Sequence, residues 1–328
     1  MHKVNQKLNK NPKLIITILK LVVSFFLIYY LFSHINFQDA FRQIQSLSAL
    51  TISLILSIFL IQLLVISVRY YKALECMGIH IPLIKTIRPT YIGYFFSQTL
   101  ISFVGGDAIR VLITSDAGEK ITQIAKAVVV DRLAGFAGQI LLLALTLPFL
   151  IPLLPDIGLK IFLLLIILGS GGLVLMLFFL GKKTNIANSK GIVGKLMSYS
   201  KRILDRLYTG QALLYIFGLS FLIGLINCIA YFAIAKALNI PLTFWQVLIL
   251  TPPALFLSMM PVSISGWGVR EGATVMMLAI AGISSSDALC ISIIFGLSLL
   301  IVSLPGGILW LVSPKRIQKK QVPEPPLP

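Results

Sequence analysis

Apolar stretches of about 20 residues recur along this chain from Leu14 to Val312. A helix of that length crosses a hydrocarbon layer about 30 Å thick while satisfying its own backbone hydrogen bonds, which open strands cannot do there. With 57% of its 328 residues hydrophobic and only 12% charged, the sequence describes an all-α polytopic membrane protein. It leaves no room for a soluble domain. The longest polar stretch, 181–211, is too short to bury a core of its own, and only the 313–328 tail follows the last apolar stretch. A single integral membrane domain therefore runs from 14 to 312, between a basic tail (1–13) and a basic, proline-rich tail (313–328).

Six full spans are expected, at 14–32, 49–68, 127–152, 159–181, 212–236 and 287–312. The net charge of +17 then sorts by side: about 22 lysines and arginines fall in one set of loops, against 4 (Arg42, Lys160, Lys236 and Arg270) in the other. Arg69 and Lys72 belong to the crowded set, whose densest loop is 182–206. The positive-inside rule places that set and both termini in the cytoplasm. Basic charge spread over loops, with no basic fold to carry it, argues against nucleic acid and for anionic lipid headgroups as partners. The first apolar stretch is longer than a signal-peptide core and lacks a small-residue cleavage site, so it reads as a retained span.

Two apolar segments are shorter or broken. One runs from Pro89 to Val104 and ends in Gly105 and Gly106; the other runs from Phe244 to Pro261 and carries Pro252 and Pro253. Proline removes a backbone donor and glycine loosens a helix, so each is expected to form half of a re-entrant hairpin, the second returning along 272–281. The order span, span, hairpin, span then occurs twice. This gives six spans and two re-entrant helical hairpins in an inverted repeat, with units of roughly 14–152 and 159–312.

Charged groups inside these segments are the candidate site, because an ionisable group at membrane depth needs a partner or a wet cavity. Asp107 and Arg110 share one helix face at i,i+3, and the amides of Gly105 and Gly106 suit an anion at a helix start. Asp131 and Arg132, at the start of the third full span, are placed to form an ion-pair network with this hairpin. In the second hairpin Ser265, Gly266 and Gly268 surround Trp267, and Arg270 precedes Glu271. A guanidinium matches a phosphate bidentately, while the neighbouring carboxylate holds an amine or orients the arginine. Purely structural ion pairing is the alternative for all three charged pairs, and Trp267 doubles as a candidate interfacial anchor. Gly169, Gly171 and Gly172 suit close helix packing, Pro305, Gly306 and Gly307 suit a kink, and Asn227 and Tyr231 suit contacts between helices. His2, His34 and His80 lack metal-ligand spacing, Cys76, Cys228 and Cys290 lack redox spacing, and no phosphate-binding loop or nucleophile elbow occurs. No cofactor is expected.

The runs GYFFSQTLISFVGGDAIRVLITSDAG, AKAVVVDRLAG and PVSISGWGVREGA together resemble the transmembrane, flippase-like domain of lysylphosphatidylglycerol synthases. The resemblance implies a multi-pass protein of a prokaryotic cytoplasmic (inner) membrane that moves or presents a phospholipid, or an isoprenoid or other anionic lipid. Gly105, Gly106, Asp107 and Arg110 match its first motif, Asp131 and Arg132 its second, and Ser265, Gly266, Gly268, Arg270 and Glu271 its third. Full synthases add a soluble domain that transfers an aminoacyl group from tRNA, which the residues after Val312 are too few to supply, so lysyltransferase activity is not expected. The remaining alternatives are a membrane partner for a separate glycosyl- or aminoacyl-transferase chain and a lipid-modifying enzyme of the lysyltransferase type.

Overall fold

The computed structural model describes residues 47–99, 105–116, 118–154, 210–260, 263 and 265–312, with scattered helical positions between 157 and 172. The expected first span, most of the 159–181 span, the 182–206 loop and both tails lie outside the described residues. Among the described residues the elements are helical throughout.

Among the described residues, four helices are long and apolar enough to cross a membrane: α1 (Ala49–Cys76), α4 (Ile121–Leu150, continued by a 3-10 turn at Ile151–Leu153), α5 (Gly210–Ala237) and α8 (Ser285–Leu311). Each contains one of the expected spans. Shorter helices fill the intervals: α2 (Leu83–Thr99) with α3 (Gly105–Ser115), and α6 (Phe244–Ser258) with α7 (Val269–Ala279). Side-chain oxygens start several of them by accepting an otherwise unpaired amide. Ser48 caps α1, Thr243 caps α6 in a reciprocal box with Gln246, and Ser284 caps α8.

The expected arms run on through Pro89, Pro252 and Pro253. Pro89, Pro252, Pro253 and Pro305 all lie inside continuous helices, since neighbouring helices supply the packing and polar contacts that tolerate them. Gln139 of α4, for example, donates to the Pro252 carbonyl at 3.1 Å. The second hairpin turns later, where Gly266 (φ 80°) and Gly268 (φ 84°) adopt a left-handed backbone open to glycine. Likewise Gly306 and Gly307 sit within α8 where it meets α2, and a Cβ at either would run into Tyr91 or Phe95. At Gly169 and Gly172, by contrast, no described atom lies within 4 Å of an added Cβ, so these two do not mark a described helix contact.

The bundle is built around α1, α4, α5, α6, α7 and α8, whose buried side chains form one core. Phe295 lies 5.1 Å from Phe59 and 4.5 Å from Tyr231 at its centre. Large apolar residues on the outside of the long helices, such as Leu64, Leu145 and Ile308, are about half exposed or more, as lipid-facing positions are. Asn227 accepts from Gln62 across the α1/α5 contact at 2.7 Å, and Tyr231 hydrogen-bonds Thr274 at 3.1 Å, the interhelical contacts expected of them.

Parts of the two sets of four helices match under one shift in numbering. One constant shift in numbering carries the end of α1 at Cys76 to the end of α5 at Ala237, and the start of α2 at Leu83 to the start of α6 at Phe244. The same shift carries left-handed Gly78 to left-handed Asn239. Packing follows suit: α2 lies on α1, α3 and α8, while α6 lies on α5, α7 and α4.

Candidate functional site

Gly106 brings α3 hard against α2. A Cβ there would overlap the Gly93 carbonyl and Ser97, so only glycine lets the two backbones touch. This places Asp107, in the first turn of α3, and Arg110, one turn later, on the face turned to α4. The Arg110 Nη2 donates to Asp131 Oδ2 at 2.9 Å and lies 3.5 Å from Asp107 Oδ1. The other Asp131 oxygen accepts from Arg69 Nε at 2.8 Å, and Arg69 Nη1 donates to Ser220 at 3.2 Å. Asp107 is gripped from outside by Arg132, whose Nε and Nη2 donate at 2.6 and 3.0 Å.

Among the described residues of this cluster, three arginines face two aspartates. The Arg110 and Asp131 side chains are only 6% and 1% exposed, whereas those of Arg132 and Asp107 are 33% and 17% exposed. The cluster has a sealed interior and an accessible mouth. The Arg110 guanidinium also stacks 4.2 Å from the centre of the Tyr70 ring, and its buried Nε has no hydrogen-bond partner. The expected Asp107/Arg110 pair exists, but each member has a closer partner on α4.

In the second hairpin the charges balance. Arg270 Nη2 donates to Glu271 Oε1 at 2.6 Å, while Glu271 Oε2 accepts the Gly268 amide at 2.5 Å and so caps α7. Ser292 of α8 lies 3.4 Å from Arg270 Nε and 3.3 Å from Glu271 Oε1. Both charged residues are buried, at 3% and 4% exposure. Trp267, half-buried, presents its ring 4.8 Å from the Arg270 guanidinium, which is a more specific role than an interfacial anchor. Gly296 leaves the space that this guanidinium fills.

The helix correspondence extends into these clusters. The shift that relates α1 to α5 carries Tyr70 to Tyr231, Asp131 to Ser292, Gly135 to Gly296 and Ser97 to Ser258. One residue less carries Gly106, Arg110 and Thr114 to Gly266, Arg270 and Thr274. Tyr70 bonds Thr114 as Tyr231 bonds Thr274. A Cβ at Gly106 would strike Ser97, as one at Gly266 would strike Ser258. The halves share a frame and differ in charge.

The clusters are linked where the hairpins meet. Ser265, left-handed at φ 51°, donates to the carbonyls of Ser97 (2.8 Å) and Gln98 (3.2 Å) at the end of α2. Of the sequence candidates, Asp107, Arg110, Asp131 and Arg132 converge; Arg270 and Glu271 form a separate pair; Gly106 and Gly266 are consumed by packing against α2 and α6; and Gly105 opens α3. Arg69 corrects the loop assignment: α1 runs past it to Cys76, and the residue is buried. Arg69, Tyr70 and Ser292 also contact these clusters and were not singled out from sequence. The signal available for Arg69 and Tyr70 was the match of Tyr70 to Tyr231, which lies inside a span. No group of three or more metal-ligating side chains occurs among the described residues.

Long apolar helices around buried, mutually paired charges define a multi-pass helical membrane protein. Residues 17–307 match the family model described as the lysylphosphatidylglycerol synthase TM region, and the chain belongs to that family. No curated protein matches the chain.

Proposed function

We propose that the protein is a lipid translocase of the flippase type, which moves a phospholipid or another anionic or isoprenoid lipid across the cytoplasmic membrane of a prokaryote, with both termini in the cytoplasm. It acts as a transporter and not as an enzyme. The observation that carries this reading is the buried cluster in which, among the described residues, three arginines face two aspartates and Asp107 and Arg132 are the more exposed members. Desolvated arginines favour a phosphate over water, and a guanidinium receives it in the fork geometry it now offers to Asp107. The family membership and the long apolar helices support a lipid as the ligand.

In this reading the phosphate sits at Arg132 beside Arg110. Arg270, already satisfied by Glu271, pins the second hairpin. The correspondence of the two helix sets supports an inverted repeat whose units rock about the contact between the hairpins. The test is leaflet exchange of headgroup-labelled phospholipids in liposomes containing the purified protein, compared with Arg132→Gln and Arg110→Ala. Exchange by the native chain and its loss in a folded Arg132→Gln variant is the expected result. Failure of the folded native protein to exchange any anionic lipid would refute the reading.

A further inference from the structure

Asp107 occupies the place that an anionic ligand would take. It receives both Arg132 donors in a bidentate fork at 2.6 and 3.0 Å, the geometry a phosphodiester adopts with a guanidinium. A second cation waits beside it, since Arg110 Nη2 is 3.5 Å from Asp107 Oδ1, longer than its 2.9 Å bond to Asp131. Asp131 cannot make the same exchange, because both its oxygens are engaged by buried arginines. The Asp107–Arg132 pair is also the accessible part of the cluster.

Resting on the translocase reading, we propose that Asp107 is a tethered stand-in for the ligand's phosphate. It closes Arg132 when the site is empty, and it swings to Arg110 when a singly charged phosphodiester headgroup takes Arg132. Among these five side chains, a bound monoanion brings three cations against three anions, whereas a zwitterionic headgroup adds no net charge. Asp107 thus tunes affinity downward, so that the bound lipid can leave.

An internal competitor raises the apparent dissociation constant by the inverse of the fraction of time the seat is open. A seat open about one tenth of the time corresponds to a tenfold effect, or about 1.4 kcal/mol. The experiment measures binding of dihexanoyl phosphatidylglycerol and dihexanoyl phosphatidylcholine to the detergent-purified full chain by calorimetry, together with leaflet exchange in liposomes. The proteins are the native chain, Asp107→Asn, Asp107→Ser and Arg132→Gln. The expected result is that Asp107→Asn binds the anionic lipid about tenfold more tightly yet exchanges it several-fold more slowly, while Arg132→Gln loses binding.

Opposite movement of affinity and rate is a signature that a merely structural aspartate would not produce. Should the native chain bind the anionic lipid selectively and both Asp107 variants bind it equally or more weakly, the stand-in role is overturned while the translocase reading survives. Loss of the fold in both variants would likewise overturn it and make Asp107 structural. Absence of anionic-lipid binding in every folded protein would sink both.

Discussion

Replacing Asp131 by asparagine should be far more damaging than the same change at Asp107, although both aspartates pair with arginines of one cluster. Asparagine keeps the shape and one acceptor but removes the charge. At position 131 this strands Arg69 and Arg110, whose side chains are 10% and 6% exposed and whose bonds to Asp131 are 2.8 and 2.9 Å. Breaking a buried pair from one side costs about 3–5 kcal/mol, because the partner stays buried and uncompensated. Here two partners are stranded. Arg69 retains Ser220, and Arg110 retains only the longer contact with Asp107. At position 107 the partner is Arg132, one-third exposed and not confined to this aspartate, so the cost should be about 1 kcal/mol. Reversible unfolding of the purified protein in mixed micelles, titrated with a denaturing detergent, reads the difference directly. Asp131→Asn should unfold at least about 2 kcal/mol more easily than Asp107→Asn. Added salt should diminish the Asp107 effect more than the Asp131 effect, because exposed pairs are screened and buried ones are not. Equal costs at the two positions, or the reverse order, would refute the division into a sealed interior and an open mouth.

Gly106→Ala should destabilise by about 3 kcal/mol in the same assay, since its Cβ meets backbone atoms of Gly93 and Ser97 that have nowhere to go. Gly218→Ala, where nothing lies within 4 Å, should change stability by less than about 1 kcal/mol. Glu271→Gln preserves an acceptor for the Gly268 amide but leaves Arg270 buried without a counter-charge, costing about 3–5 kcal/mol. Adding Ser292→Asp to that variant should recover at least half of the loss, because Ser292 already lies 3.4 Å from Arg270 Nε and holds the position of Asp131 in the other half. A double variant no better than Glu271→Gln would show that the correspondence has no energetic content.

Much of this arrangement was legible in the sequence, and the reasons differ by element. The spans 49–68, 127–152, 212–236 and 287–312 were found because length and apolarity are what a bilayer demands. Their ends were set too short at Arg69 and at the start of α4, which begins at Ile121 and so leaves Asp131 almost three turns inside. Hydropathy stops at the first charge, whereas a helix continues if that charge is paired. The i,i+3 spacing of Asp107 and Arg110 located the first cluster, but spacing along one helix cannot reveal that Asp131 and Arg132 arrive from another. The agreement between halves was invisible as identity, since what persists is the role of a position. Asp131 and Ser292 are unlike as residues, yet both reach an arginine one helix away.

The Ser265 hydroxyl ties the last carbonyls of α2 to the turn that precedes α7. In an apolar surrounding, a carbonyl that loses its donor finds no water to replace it, at a cost of about 1–3 kcal/mol. Neither hairpin can withdraw alone without exposing that debt on the other, and a serine held at φ 51° has little freedom to follow by rotating its own backbone. The two tips are consequently stapled to one another, and separating them should cost that hydrogen bond.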